Sequence, residues 1–589
     1  MLKSLLISAW KRRLHRSGAE KIENSNDEAI RTWHKGETTA AEVQFRAIIA
    51  ASPSYAPAYG NLGMVLAEQF RFDEAVSTLE EGLRKDPNHA GLHANLGLLL
   101  LRGRMIRDAI GHLERALELD PNLAEANQVL VGALLDACEW DSLSPIVENF
   151  RESAERGEAL DWTNRITPYT SLLLPLDARL QQQVAQSYAL RVKSNVASLP
   201  AVSHALASRH RPTLKLGYFS CDFRDHPVCH VASGLFELHD RGRFQVYAYS
   251  YGVNDDSGYR EIVERGCDYF RDVSRQSTQQ IVKTINDDGI DVLIDLTGYS
   301  SDARPEVLAL RPAPLQVNYL GYPGTMGADF IDYLIADDYV LPPELQRNVT
   351  ESVVTLPCSF FPSLRHESRE FGRGTRSDAG LPQSAIVFCC FAQPSRIESS
   401  IFRAWMQILH DVPESVLWIR QHNSIAASNL LTFAKRCGIA PDRVIFAGKS
   451  IDKTAHFSRF SMADLALDTH LYNGHTTTSD ALWAGVPVLT CPGNTFASRV
   501  AGSILHHLEL AELICPNLDA YIEKAVLYAT DIDKLNSVRA KIAAVNRQYS
   551  GADQTRYVHL LERAYGEMWS RYVQGKTKAG FHVTDGSLG

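Results

Sequence analysis

Pro53, Pro87 and Pro121 stand 34 residues apart, and each is followed by the start of a new helix-like segment. Residues 56–89 (APAYGNLGMVLAEQFRFDEAVSTLEEGLRKDPNH) align with 90–123 (AGLHANLGLLLLRGRMIRDAIGHLERALELDPNL). Gly63 falls on Gly97, Ala75 on Ala109 and Leu79 on Leu113. A period of this length is one pair of antiparallel helices, which cannot bury its apolar face alone and must stack on the next pair. Small residues at fixed places let the two helices approach closely, and proline, lacking an N–H, ends the second. A weaker copy fits 22–55 (Ala29, Ala41, Phe45, Pro53) and a degenerate one begins at Ala124, so three to four repeats are expected over 22–150.

This period and residue pattern resemble the tetratricopeptide repeat. Such arrays present a concave surface that takes an extended peptide or another protein. Asn61 and Asn95 occupy the same sixth position of their repeats. A carboxamide donates and accepts at once, which suits a peptide backbone. The same residues serve equally well as polar surface of the stack, and the repeats alone do not choose.

At 589 residues the chain is too long for one core. After a helical linker, 151–210, the pattern changes to short β-branched runs separated by helical stretches. Candidate strands are Leu214–Phe219, Phe244–Tyr249, Asp291–Leu296, Leu315–Leu320 and Tyr333–Ala336. A polar linker over 367–383 interrupts them. A second set follows at Ala385–Phe391, Ser415–Ile419, Arg443–Ala447, Leu465–Asp468 and Pro487–Thr490. Strands alternating with helices make parallel sheets of βαβ units, so two doubly wound lobes are expected, at 211–366 and 384–552. Ligands then sit beyond the carboxyl ends of the strands, in the cleft between lobes. The region 553–589 reads as a closing helix, with Tyr557, Leu561, Tyr565, Met568 and Tyr572 as a packing stripe, and a frayed tail from Lys576.

A net charge of −9 without a basic stripe argues against a nucleic-acid binder. No apolar run is long enough to span a bilayer. Met1 to Lys21 places its short apolar stretch ahead of its basic block, the reverse of a secretory signal, and reads as an amphipathic first helix. The ten scattered cysteines, none in C-x-x-C spacing, read as reduced thiols and point to the cytoplasm.

Five constellations carry candidate chemistry. The stretch from Asp468 through Asn473-Gly474-His475-Thr476-Thr477 to Asp480 runs from a strand end through a Gly-containing loop into a helix. Thr477 and Asp480 have capping-box spacing, and a helix start beside Gly and hydroxyls is a natural phosphate site. Lys453, His456 and Arg459 share one helix face and suit a diphosphate or a base edge. Gln393 and Arg396 follow the first strand of the second lobe and are expected to project into the cleft. Asp222-Phe-Arg-Asp225-His226-Pro-Val-Cys-His230 follows the first strand of the first lobe, with His226 where an acceptor must approach. Its H-x-x-x-H spacing lacks the further ligands of a metal site, so no metal is assigned. Leu320-Gly321-Tyr-Pro-Gly324 and Asp295-Leu-Thr-Gly298 are glycine turns that permit close backbone approach.

The segments SCDFRDHPVCH, ALRPAPLQVNYLGYPGTMGADFIDY, FCCFAQPSRI, ESVLWI, ADLALDTHLYNGHTTTSDALWAGVPVLTCPG and FASRVA resemble, in order over about 214–500, the O-linked N-acetylglucosamine transferases of glycosyltransferase family 41. The compact linker between lobes is similar to that of bacterial members. The resemblance implies tetratricopeptide repeats followed by an α/β GT-B fold of two Rossmann-like lobes. It also implies inverting transfer from UDP-N-acetylglucosamine to Ser or Thr of protein acceptors, without a cofactor or catalytic metal. It assigns Gln393, Lys453, His456, Arg459, His475, Thr476, Thr477 and Asp480 to the nucleotide sugar, and Leu320 and Gly321 to the neighbourhood of the donor sugar. His226 becomes a catalytic participant, and Asn61 and Asn95 part of a ladder holding acceptor backbone. The family carries lysine where this chain has Arg396, which keeps the charge on a longer, planar fork.

Physically, such transfer needs a dry cleft, a stabilised leaving diphosphate and a route for the acceptor proton. The helix start with Arg396 and Lys453 answers the second need. His226, or failing it Asp295, answers the third. Two rival readings stand beside this one: protein O-fucosylation from GDP-fucose, and a repeat scaffold carrying a weakened or inactive transferase module.

Overall fold

The computed structural model describes residues 20–33, 35–156, 166–200, 202, 204, 213–362, 372, 374–548 and 551–585. Most of the expected first helix, 1–19, lies outside the described residues, as do parts of both expected linkers and residues 586–589. The chain divides into two compact units, 1–139 and 140–589.

In the first unit the repeat period becomes helix pairs: α1 (20–33) with α2 (Thr38–Ala51), α3 (Ala56–Glu68) with α4 (Phe72–Lys85), and α5 (Ala90–Arg102) with α6 (Ile106–Leu119), then α7 (Ala124–Ala137). The matched residues explain the period. A methyl group on Gly63 would lie 2.8 Å from the Leu79 side chain, and one on Gly97 would lie 2.7 Å from Leu113. Each glycine therefore admits the leucine of its partner helix, and Ala75, Ala109, Leu79 and Leu113 are all fully buried. The unit ends at Glu139, earlier than the expected 150, because the helix Trp140–Glu155 packs elsewhere. Trp140 lies against Phe402 and Phe433 of the larger unit, and its indole N–H donates to Ile397 O at 3.1 Å. The expected linker contains two further helices, Pro168–Leu173 and Ala178–Asn195.

The larger unit holds two all-parallel sheets. The first comprises β1 (Leu214–Ser220), β2 (Phe244–Ser250), β3 (Tyr269–Asp272), β4 (Val292–Asp295), β5 (Leu315–Asn318), β6 (Tyr333–Asp337) and β7 (Ser352–Leu356). The second comprises β8 (Ile386–Cys390), β9 (Ser415–Arg420), β10 (Val444–Ala447), β11 (Leu465–Leu467) and β12 (Val488–Leu489). A last strand, β13 (Phe581–His582), returns to the first sheet, giving the orders β13-β7-β6-β5-β4-β1-β2-β3 and β10-β9-β8-β11-β12. In both sheets the order reverses beside the first strand, so loops diverge there and open a crevice at the carboxyl ends. All ten expected strands are present. Three were not anticipated: β3, β7 and β13.

The end of the chain differs from expectation. Residues 576–585 are not frayed: β13 pairs with β7 in parallel, and Val583 N donates to Thr355 O at 2.8 Å. The helix Gly551–Val573 packs Tyr557 and Tyr565 into the first lobe, where they hydrogen-bond Tyr319 and Tyr218. The end of the chain thus crosses back from the second lobe and ties the two together.

Candidate functional site

The loop that leaves β11 is built around one buried carboxylate. Asp468 Oδ1 accepts from Gly474 N at 2.6 Å and Thr469 N at 2.9 Å, and Oδ2 accepts from Thr490 Oγ1 at 2.7 Å. Burial pushes its pKa up to about 7 despite these bonds. Gly474 has no room for a side chain, since a methyl group there would lie 2.5 Å from Thr478 Oγ1 and 2.7 Å from Thr477 Oγ1. The tight loop delivers His475 to the N-cap of the helix Thr476–Trp483, and no side chain caps it. The expected capping box is therefore not formed: the helix starts one residue before Thr477, and Asp480 is used elsewhere. Its first N–H groups are left toward a cavity of about 250 Å³ at the carboxyl ends of both sheets.

Of the predicted residues, His226, Leu320 and Gly321 from the first lobe line this cavity, together with Gln393, Arg396, His475, Thr476 and Thr477 from the second. Arg396 lies half-buried on the short helix Pro394–Arg396 with its guanidinium 3.9 Å from the Tyr472 ring centre, and its Nε has no partner. His475 stacks on the same Tyr472 ring, with ring centres 4.7 Å apart, and its Nε2 is likewise unpartnered. Burial, then the charge of Arg396, holds the His475 imidazole well below its ordinary pKa and so neutral. Leu320 has φ +78°, a left-handed conformation rare for a branched side chain, and Gly321 follows it because a methyl there would sit 1.9 Å from Leu296 O.

Lys453, His456, Arg459 and Asp480 do not line the cavity. They form the layer behind its wall. The helix Lys453–Phe460 presents Lys453 and His456 to one acceptor, Asp480 Oδ2, at 2.7 and 3.2 Å. Arg459 is buried with its guanidinium 4.1 Å from the Phe391 ring centre, donating to Gly448 O and to His456 Nδ1 at 2.9 and 2.8 Å. The layer reaches the first lobe, because Lys453 Nζ donates to His230 Nδ1 at 3.3 Å while His230 Nε2 donates to Asp225 at 2.6 Å. Among the described residues no group of three or more His, Cys, Asp or Glu is placed to hold a metal ion.

His226 occupies the N-cap position of the helix Pro227–Ala232. Its Nδ1 lies 3.4 Å from Val228 N and 3.4 Å from Asp222 Oδ1. One nitrogen cannot accept from the first and donate to the second at once. The buried Asp222 carboxylate favours the proton on Nδ1, which leaves Nε2 with a lone pair. Burial lowers the His226 pKa, with Asp222 opposing, and burial raises that of Asp222. Asp295 has no comparable role. Its carboxylate is buried, accepts from Thr297 N and Gly298 N at 3.0 Å each, and lies outside the cavity lining. It shapes a turn, and Asp222 is the carboxylate that serves the histidine. Sequence reasoning also missed Arg224, Arg420 and Tyr169 in the lining. The i, i+4 spacing of Asp222 and His226 was the one available signal.

In the repeat unit, Asn61 Nδ2 donates to Asn26 Oδ1 at 3.0 Å and Asn95 Nδ2 to Gly60 O at 3.4 Å. Both amides thus bridge neighbouring helices while their side chains stay half-exposed.

The model of glycosyl transferase family 41 matches residues 158–368 and 365–561, well over half of the chain. The chain belongs to glycosyl transferase family 41. A tetratricopeptide repeat model matches residues 33–97 of this family 41 protein. It is 34% identical over 473 residues to the probable UDP-N-acetylglucosamine–peptide N-acetylglucosaminyltransferase SEC of Arabidopsis thaliana, covering 78% of this chain and 48% of that protein. It is 28% identical over 556 residues to the UDP-N-acetylglucosamine–peptide N-acetylglucosaminyltransferase of Caenorhabditis elegans, covering 74% of this chain and 48% of that one. The chain therefore spans about half the length of these curated relatives. The solved structure of a mutant Thermobaculum terrenum O-GlcNAc transferase superposes with a TM-score of 0.69 at 26% identity, covering 95% of this chain and 99% of that one. No helix among the described residues of the family 41 chain is long and apolar enough to cross a membrane.

Proposed function

We propose that this chain is an inverting glycosyltransferase that moves N-acetylglucosamine from UDP-N-acetylglucosamine to Ser or Thr hydroxyls of proteins, with its repeats holding the acceptor. The observation that carries this reading is the charge and polarity of the cavity wall. Arg224, Arg396 and Arg420 line it against a single carboxylate, Asp222, beside the uncapped start of the helix Thr476–Trp483. Arg224 Nε, Arg396 Nε and His475 Nε2 are buried polar atoms without partners. Buried polar groups are paired in all but a few cases, so this concentration marks a site whose partner is an anionic ligand.

With a diphosphate on that helix start, Arg396 neutralises the charge that develops as the sugar–phosphate bond breaks, and it is preorganised by Tyr472. The acceptor hydroxyl attacks the anomeric carbon from the opposite face, and its proton goes to Nε2 of His226, whose Nδ1–H faces Asp222. The cations supply the charge stabilisation that a metal supplies elsewhere, so the reaction runs without one. The reading of Arg396 as the mark of a weakened scaffold loses its motive, since the guanidinium lines the cavity with a donor to spare. All ten cysteines are unpaired, which supports a cytoplasmic setting. The test is a calorimetric titration of UDP into the full chain with a chelator present. Binding at micromolar to millimolar UDP is expected; binding that appears only after a divalent cation is restored would sink the metal-free reading.

A further inference from the structure

Arg420 ends β9 and lines the cavity, yet among the described residues it has no hydrogen-bond or ion-pair partner. It is half-buried, and burial alone lowers its pKa, with no carboxylate opposing. Another cation feels it: Arg459 is pushed down to about 10, first by burial and then by the charge of Arg420. Arg459 itself is spent on Gly448 O and His456. A half-buried guanidinium without a counter-charge is costly, and such a group is retained where a ligand completes it.

Strand order fixes which part of a ligand that is. The helix start at Thr476 follows β11, Arg396 follows β8, and Arg420 ends β9 on the far side of β8. Two strand spacings, about 10 Å, separate β9 from β11. A diphosphate on the helix start points one arm toward His226 and Leu320 in the first lobe. Its other arm runs across β8, past Phe391, Ala392 and Gln393, to Arg420. The first arm is the reacting sugar, so the second is the nucleoside.

We propose that Arg420 is a specificity residue for the donor, holding the nucleobase through one of its acceptor oxygens rather than the diphosphate. This rests on the reading of the cavity as a nucleotide-sugar site. Arginine only donates, so it favours a base that turns carbonyl oxygens toward it and disfavours one that turns an amino group there.

The experiment is calorimetry on the full chain and on Arg420→Leu with three probes: UDP, UMP and ribose 5-phosphate, the last lacking the base. Arg420→Leu is expected to weaken UDP and UMP by the same factor, roughly ten- to a hundred-fold, and to leave ribose 5-phosphate within about two-fold. The unchanged third probe also shows that the variant is folded. Arg420→Lys, which keeps the charge and loses the fork, should recover part of the affinity. Equal loss for all three probes would assign Arg420 to the phosphates and overturn the proposal; so would unchanged UDP affinity. If the parent chain itself binds no UDP, it is the reading of the whole site that fails.

Discussion

Replacing Gly474 by alanine tests how the phosphate-facing loop is built. The added methyl group would lie 2.5 Å from Thr478 Oγ1, 2.7 Å from Thr477 Oγ1 and 3.0 Å from Asp468 Oδ1. None of these atoms ends a flexible chain, and Thr478 and Asp468 are 2% and 6% exposed. The loop must therefore move. Overpacking of this kind costs about 1–3 kcal/mol. Loosening the 2.6 Å bond from Gly474 N to Asp468 adds about 1.5–3 kcal/mol, because the acceptor is a buried carboxylate. Together they predict a loss of about 2–5 kcal/mol, part of the clash being relieved by the shift. For the 450-residue unit 140–589 the unfolding entropy is about 0.9 kcal/mol/K, so Tm should fall by about 2–5 °C. The same movement displaces the first N–H groups of the helix Thr476–Trp483, and UDP affinity should fall at least ~10-fold. Scanning calorimetry and UDP titration read the two effects. A Tm within about 1 °C of the parent, with UDP affinity within about two-fold, would refute the packing argument.

Arg396→Ala should lower turnover roughly 10²–10³-fold, as removal of one charge-stabilising donor does elsewhere, with Arg396→Lys retaining most activity; initial rates of both decide it. The rate profile of the parent should fall on its acid side with an apparent pKa below 6.5, because burial lowers the His226 pKa and only the neutral imidazole accepts a proton. In His226→Ala the low residual rate should lose that limb, with UDP affinity nearly unchanged. Asn61→Ala combined with Asn95→Ala should raise the apparent KM for protein acceptors roughly five- to a hundred-fold at little change in kcat, each amide being worth about 0.5–1.5 kcal/mol. Donor hydrolysis by the pair should match the parent; equal transfer across acceptor concentrations would leave these amides only their bonds to Asn26 and Gly60.

The fold was legible where one period dominated. The 34-residue repeat reflects a glycine facing a leucine at the α3–α4 and α5–α6 crossings, and the ten expected strands are apolar runs that are mostly buried. Of the three strands that escaped notice, β7 (SVVTL) carries that signature, with four of its five residues buried, and the other two lack it. β3 (YFRD) is an edge strand with exposed ends, and β13 is two residues long. In the site, glycine turns and basic helix faces pointed to the right loops, but sequence carries no depth. It could not show that Lys453 and His456 turn to Asp480 behind the wall, or that Asp295 is consumed by the N–H groups of Thr297 and Gly298. Nor does a strand-ending arginine such as Arg420 announce that it lacks a partner.

The central claim is tested most directly by supplying radiolabelled UDP-N-acetylglucosamine and a mixed cell extract as acceptor source, with a chelator present. UDP release should be matched by label in protein, on Ser or Thr with inverted anomeric configuration, and Arg396→Ala should lower both together by the same roughly 10²–10³-fold. Label transferred from GDP-fucose instead, or no UDP released at saturating donor, would contradict the account.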